Sequence, residues 1–195
     1  MKRGVKKQNA ITGSIRVISG KWRGRKLPVL EAQGLRPTTD RMKETLFNWL
    51  MPYVNESRCL DMFAGSGSLG FESLSRHASS ATFIELDKVA AKLITSNLEK
   101  LKVEDQQTQV MQGNSLEVCS RLNHSFDLVF IDPPFNAGLV PKAIDVINQN
   151  NLVTTQSVVY IECEAQNQNY QVPDNWQCIK EKSTQSVSSK LFIVS

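Results

Sequence analysis

Residues 59–72 read Cys59-Leu60-Asp61-Met62-Phe63-Ala64-Gly65-Ser66-Gly67-Ser68-Leu69-Gly70-Phe71-Glu72. An apolar segment ends in an aspartate, a glycine-rich turn follows, and a helix-forming run comes next. This is the strand, turn and helix of a nucleotide-binding α/β domain. Glycines let the backbone bend sharply and approach a ligand, and the helix start behind them offers free N–H groups. Glu85 ends the next apolar run, Ala81-Thr82-Phe83-Ile84, at about the 20-residue distance where an acid meets a ribose hydroxyl. Gly65-x-Gly67-x-x-Gly70 also satisfies the dinucleotide fingerprint, so a hydride-transfer enzyme stays open, as does a purely structural turn. Asp61 favours a different ligand. A carboxylate there repels a pyrophosphate but suits a cation or an amino group.

Outward from this stretch, strands and helices alternate, which gives a parallel sheet joined by right-handed crossovers. The patterns predict strand 58–62, helix 68–77, strand 80–85, helix 87–101, strand 107–111, helix 115–121, strand 126–131, helix 138–149 and strand 156–162. Two further strands, 175–182 and 187–194, have no room for a helix between them. They predict an antiparallel hairpin closing a mostly parallel, seven-stranded Rossmann-like α/β sheet. On the amino-terminal side, Met42, Leu46, Trp49, Leu50 and Tyr53 recur at helical spacing, with Thr38 or Thr39 as cap. Segments 14–19 and 25–29 read as a β-hairpin around Gly20-Lys21-Trp22-Arg23-Gly24. The expected division is a disordered basic tail at 1–13, a hairpin appendage at 14–35, and a catalytic domain at 36–195.

The chain has 195 residues and a net charge of +4, unevenly spread. Residues 1–43 hold twelve Lys and Arg against Glu31 and Asp40, a balance of +10, and the remainder carries −6. A basic arm on an acidic body points to a polyanionic partner. Arg16, Lys21, Arg23, Arg25 and Lys26 beside Trp22 suit single-stranded RNA, with phosphate pairing and base stacking; Trp22 packed on the domain is the alternative. No apolar run approaches the ~18 residues of a membrane span, and no apolar segment follows the basic start as in a signal peptide. Four scattered cysteines, Cys59, Cys119, Cys163 and Cys178, fit reduced thiols in a cytoplasmic protein.

Ligands of open α/β sheets sit at the carboxyl ends of the strands. Asp61, Glu85, Asn114 and Asp132-Pro133-Pro134-Phe135 all lie at such ends. Asn114 has a donor and an acceptor for an adenine edge, although Gly113-Asn114 is also an ordinary turn. The two prolines fix the backbone and remove two N–H donors, which leaves the Asp132 carboxylate and the Pro133 carbonyl as acceptors. That pair can hold an exocyclic amino group while Phe135 stacks on a base; a rigid turn with a core phenylalanine is the bland alternative. No ligand cluster for a metal is visible. His77 and His124 read as surface residues.

The glycine turn, the strand-end acid and the D-P-P-F tetrapeptide resemble class I S-adenosylmethionine-dependent methyltransferases that modify amino groups. Leu35-Arg36-Pro37-Thr38-Thr39-Asp40-Arg41, Leu46-Phe47-Asn48 and the basic hairpin narrow the resemblance to the bacterial 16S rRNA guanine-N2 methyltransferase family. It covers about residues 14–195. The resemblance implies S-adenosylmethionine as cofactor, held by Asp61, Phe63, Ala64, Gly65, Gly67, Glu85, Leu86, Asn114 and Asp132. Many relatives have Asp where this chain has Asn114. Catalysis would fall to Asp132, Pro133, Pro134 and Phe135. Arg36 and Arg41 would join the hairpin cations in binding RNA. The implied target is the N2 of guanine 966 in 16S rRNA, in an assembled or assembling small subunit. A monomer is expected. An adenine-N6 or protein-glutamine methyltransferase, an NAD-dependent oxidoreductase and a noncatalytic RNA-binding module remain as alternatives.

Overall fold

The computed structural model describes residues 11–30 and 40–195. The order is β1 (Ile11–Arg16), a 3-10 turn (Gly20–Trp22), β2 (Lys26–Leu30), α1 (Asp40–Trp49), β3 (Arg58–Asp61), α2 (Ser68–Ser75), β4 (Ser80–Glu85), α3 (Lys88–Leu101), β5 (Thr108–Gln112), α4 (Ser115–Cys119), β6 (Phe126–Ile131), α5 (Val140–Gln149), β7 (Val153–Glu164), β8 (Trp176–Ser183) and β9 (Val187–Val194). β1 and β2 form a separate hairpin, and the other strands form one sheet in the order β5-β4-β3-β6-β7-β9-β8. Its first five strands are parallel; β9 runs antiparallel between β7 and β8. The chain moves outward from β3 in one direction and from β6 in the other. The crevice between the carboxyl ends of β3 and β6 is therefore the switch point.

Strand alternation sorts the core onto two faces. Cys59, Ala81, Phe83, Leu128, Phe130, Val158 and Tyr160 pack against α1, α2, α3 and the hairpin. Leu60, Ile84, Val129, Ile131, Val159 and Ile161 pack against α4 and α5. α3 and α4 begin where a side chain satisfies their free amides. Asp87 accepts from Val89 and Ala90 at 2.8 Å, capping α3, and Asn114 caps α4. Pro141 sits in the first turn of α5, where no N–H is needed. No helix among the described residues is long and apolar enough to cross a membrane.

The fold matches the predicted class, with local corrections. β1 starts at Ile11, inside the stretch assigned to the tail, and ends before Val17. The N–H groups of Ile18 and Ser19 leave the strand to donate to the Glu72 carboxylate at 2.8 and 3.0 Å. β7 starts at Val153, three residues before the predicted strand 156–162. The exposed Thr154, Thr155 and Gln156 form a bulge against β6, with Gln156 at φ 73°, and Ser157 Oγ closes it onto the Phe126 carbonyl. Residues 1–10 and the Thr38 and Thr39 caps lie outside the described residues.

Candidate active site

Asp61 ends β3 and is buried, and one oxygen accepts the Gly70 N–H at 3.2 Å. Between them the turn is held by Met62 N–H on the Phe130 carbonyl and Ala64 N–H on the Ile84 carbonyl. Gly65 and Gly67 are both left-handed, at φ 53° and 76°, as the turn demands. A Cβ on Gly70 would sit 2.2 Å from the Phe83 ring, so this glycine serves helix–strand packing. Glu85 closes the turn from the neighbouring strand. It accepts the Gly65 N–H at 2.6 Å and the Asp87 N–H at 2.7 Å. Burial pushes the Asp61 carboxyl up to about 7, against the Gly70 bond and with help from the Glu85 charge. Burial also raises Glu85, and its two N–H partners pull it back.

Asp132, half-buried, follows β6 on the other side of the switch point. Pro133 is buried, Pro134 is exposed, and Phe135 is half-buried. Asn136, left-handed at φ 60°, donates its N–H to Glu164 of β7, which ties the turn down. Strand register brings the acids together. Asp61 lies level with Phe83 and Phe130; Glu85 and Asp132 each stand two residues further along, and Ile131 is level with Ile161. By alternation Glu85, Asp61, Asp132 and Glu162 share the face covered by α1 and α2. They form an arc across four adjacent strands at the carboxyl edge. Asp132 is raised well above the ordinary carboxylate range, first by burial, then by the charges of Glu162 and Asp61. Such an arc suits a ligand bearing positive charge or amino N–H donors.

Of the predicted site residues, Asp61, Phe63, Ala64, Gly65, Gly67, Glu85 and Asp132–Phe135 meet at this edge. Leu86 is 66% exposed beside it, and Asn114 lies at the end of β5. Asn114 Oδ1 is taken up by the Leu116 and Glu117 N–H groups at 3.0 and 3.5 Å, which leaves its amide N–H donors for a ligand. Glu162, Tyr160 and Glu164 went unnoticed in the sequence, because the run 158–163 reads as a buried strand. The one signal was an acid in an otherwise apolar run.

The hairpin cations Arg16, Lys21, Arg23, Arg25 and Lys26 are exposed, as is Arg41 on α1, while Arg36 lies outside the described residues. The expectation that Trp22 stacks on a base is corrected. Trp22 is 7% exposed within the core, its backbone N–H donates to Ser75 Oγ at 3.0 Å, and Lys21 Nζ lies 4.3 Å over its ring. Its large apolar surface is stabilised more by burial than by exposure to a passing base. The hairpin is thus fixed onto α2, with buried Glu72 also paired to Arg76 at 2.8 Å.

The family model described as conserved hypothetical protein 95 matches residues 15–193. Ribosomal RNA small subunit methyltransferase D of Haemophilus influenzae is 50% identical over 182 residues, 92% of this chain and 94% of that protein. The Escherichia coli protein of the same name is 42% identical, over 93% of this chain and 90% of its own length. The structure of a putative methyltransferase from Escherichia coli superposes with a TM-score of 0.87 at 42% identity, covering 94% of this chain and 99% of that one. Matching over nearly its whole length, the chain belongs to the conserved hypothetical protein 95 family and, within it, to the small-subunit methyltransferase D group.

Proposed function

We propose that this methyltransferase moves a methyl group from S-adenosylmethionine to the exocyclic N2 amino group of a guanine in small-subunit rRNA, guanine 966 by family resemblance. The observation that carries the reading is the carboxylate arc. Asp61 and Glu85 lie on one side of the switch point and Asp132 on the other, so a cationic cofactor and an amino-bearing base can meet between them. The names of the relatives support rRNA as the substrate.

The residues present fit the cofactor. Asp61 is buried with a carboxyl raised to about 7, a state that a cationic amino group would reverse. Among the described residues a Cβ at Gly65 would meet only the Phe63 carbonyl, 4.0 Å away, so that side of the turn is open to them. Asp61, Gly65 and Gly67 would hold the methionine portion, Glu85 the ribose hydroxyls, and the Asn114 amide N–H the adenine edge. S-adenosylmethionine would supply an electrophilic methyl carbon on a sulfonium centre.

The chain's own residues would do the rest. The guanine N2 lone pair is delocalised into its ring, so the nitrogen is a weak nucleophile. Asp132 and the Pro133 carbonyl would accept its N–H bonds, favour a pyramidal nitrogen and stabilise the positive charge that develops on attack. Phe135 would stack on the base, which must leave its neighbours to reach the crevice. The exposed hairpin cations would hold flanking phosphates.

The test is transfer of labelled methyl to small subunits that lack the modification, followed by nucleoside identification. Label in N2-methylguanosine is the expected result. Label in N6-methyladenosine or in protein would redirect the reading to another amino group. Absence of transfer, alongside NADH binding and no S-adenosylmethionine binding, would end it.

A further inference from the structure

Glu162 belongs to no motif, yet it stands beside Asp132. Ile131 and Ile161 are level in the parallel β6–β7 pair, so the next residues, Asp132 and Glu162, are neighbours on one face. Glu162 is 5% exposed. The Tyr160 hydroxyl donates to Glu162 Oε2 at 2.5 Å and lies 3.2 Å from Ser189 Oγ, which can donate back. Tyr160 is itself fixed, its ring edge-on to Phe130 with centroids 6.3 Å apart. Behind the D-P-P-F turn there is therefore a second, rigidly held carboxyl.

Methylating an amino group releases one proton for each methyl gained. Here an N–H bond of N2 must break, leaving its electron pair on nitrogen, and an O–H bond must form on an acceptor. An isolated carboxylate titrates near 4 and is a weak base at neutral pH. A carboxylate partly shielded from water beside another holds a proton more tightly, because two like charges close together repel. We propose that Glu162, held by Tyr160, is a positioning residue whose negative charge makes Asp132 the base that takes the proton from the substrate amino group. The proton then passes from Asp132 to solvent as product leaves. This rests on the assignment of Asp132 to the amino group.

The groups facing Asp132 agree with this. From β3 comes Asp61, with Glu85 of β4 beyond it; from β7 come Glu162 and Tyr160. On β9, Ser189 is level with Glu162, while Lys190, one residue along, is paired with Glu181 at 3.2 Å. On α1, Lys43 donates to the Arg16 carbonyl at 2.5 Å. Among the described residues the surroundings of Asp132 are acidic, with Glu162 the nearest acid in the sheet.

The test is a carboxyl-carbon NMR titration of the isolated protein, without cofactor or RNA, paired with single-turnover pH profiles. Asp132→Asn assigns the Asp132 signal. Asp132 should titrate well above 4, and Glu162→Gln should lower its midpoint by about one pH unit. The same variant should shift the acid limb of the rate profile to lower pH and reduce the neutral rate roughly tenfold. Glu162→Asp, which keeps the charge, should restore most of both. Should Glu162→Gln fail to fold, Tyr160→Phe keeps the ring but removes the hydroxyl that holds the Glu162 carboxylate, and should lower the Asp132 midpoint. An active parent whose Asp132 midpoint is unmoved by either variant overturns the proposal while sparing the function. A parent that methylates no amino group ends both.

Discussion

The two halves of the carboxyl edge hold their acids in different ways. On the β3–β4 side, backbone amides hold the carboxylates: Gly70 on Asp61, and Gly65 and Asp87 on Glu85. On the β6–β7 side, the carboxyls face each other, and Tyr160 braces Glu162 from below. Amide donors favour the ionised form, whereas a second carboxylate favours the protonated one. Burial raises the carboxyls of both halves; the amides pull those of the first half back toward charge, while in the second half Glu162 pushes Asp132 further toward holding a proton. The switch point between β3 and β6 separates the two arrangements.

Removing each side in turn should give different signatures. Asp132→Ala should lower the single-turnover rate by roughly 10²–10³, as for removal of one preorganised electrostatic partner, and leave S-adenosylmethionine affinity nearly unchanged. Rapid-quench kinetics with calorimetry separates the two effects; unchanged turnover would make the tetrapeptide a structural turn only. Glu85→Ala should do the reverse. It should weaken cofactor binding by roughly 1.5–3 kcal/mol, the size of a hydrogen bond to a charged group. Calorimetry giving equal affinities would remove Glu85 from the ribose position.

A smaller effect should separate the halves by pH. Asp61 has its folded pKa raised to about 7 from 3.8, so the folded chain binds its proton more tightly than the unfolded chain does. The stability this contributes is full below 3.8 and is lost as pH rises to about 7. A cationic ligand needs the charged form. Cofactor affinity should therefore climb by up to about tenfold per pH unit as pH rises toward 7. Asp61→Asn should bind weakly and with little pH dependence over the same range. Parallel slopes for parent and variant would show that the proton belongs to another group.

The same contrast explains what the sequence could reveal. The proposed cofactor side is contiguous: Asp61, the glycines and Glu85 lie within one strand–turn–helix–strand segment, where spacing alone signals geometry. Asp132-Pro133-Pro134-Phe135 was equally legible, because its prolines restrict the backbone locally. Glu162 and Tyr160 act only through register with β6, and register between distant strands leaves no short-range mark. Glu72 was hidden similarly, as a helical acid whose partners Ile18 and Ser19 are more than fifty residues away. Trp22 misled for the opposite reason. Its cationic neighbours described the hairpin's outer side, while the tryptophan itself belongs to the inner one.

The hairpin offers the weakest and most separable effect. Its cations point outward, and none stands in the carboxylate arc, so they should act singly where the arc acts as a coupled set. Arg23 and Arg25 flank the exposed Gly24 at the turn, while Glu72 and Ser75 fix the backbone beneath. Removing either guanidinium therefore leaves the docking bonds intact. Each phosphate left without its cation should reduce the salt slope of single-stranded RNA binding by about 0.7. Arg23→Ala with Arg25→Ala should thus weaken RNA binding most at low salt and lower the slope by the sum of the single changes. Cofactor affinity and thermal stability should stay at parental values. RNA titrations across a salt series, with calorimetry for the cofactor, measure both. A pair of changes that leaves the slope intact would move the RNA surface off the hairpin, and one that alters cofactor affinity would show that the hairpin and the arc communicate through α2.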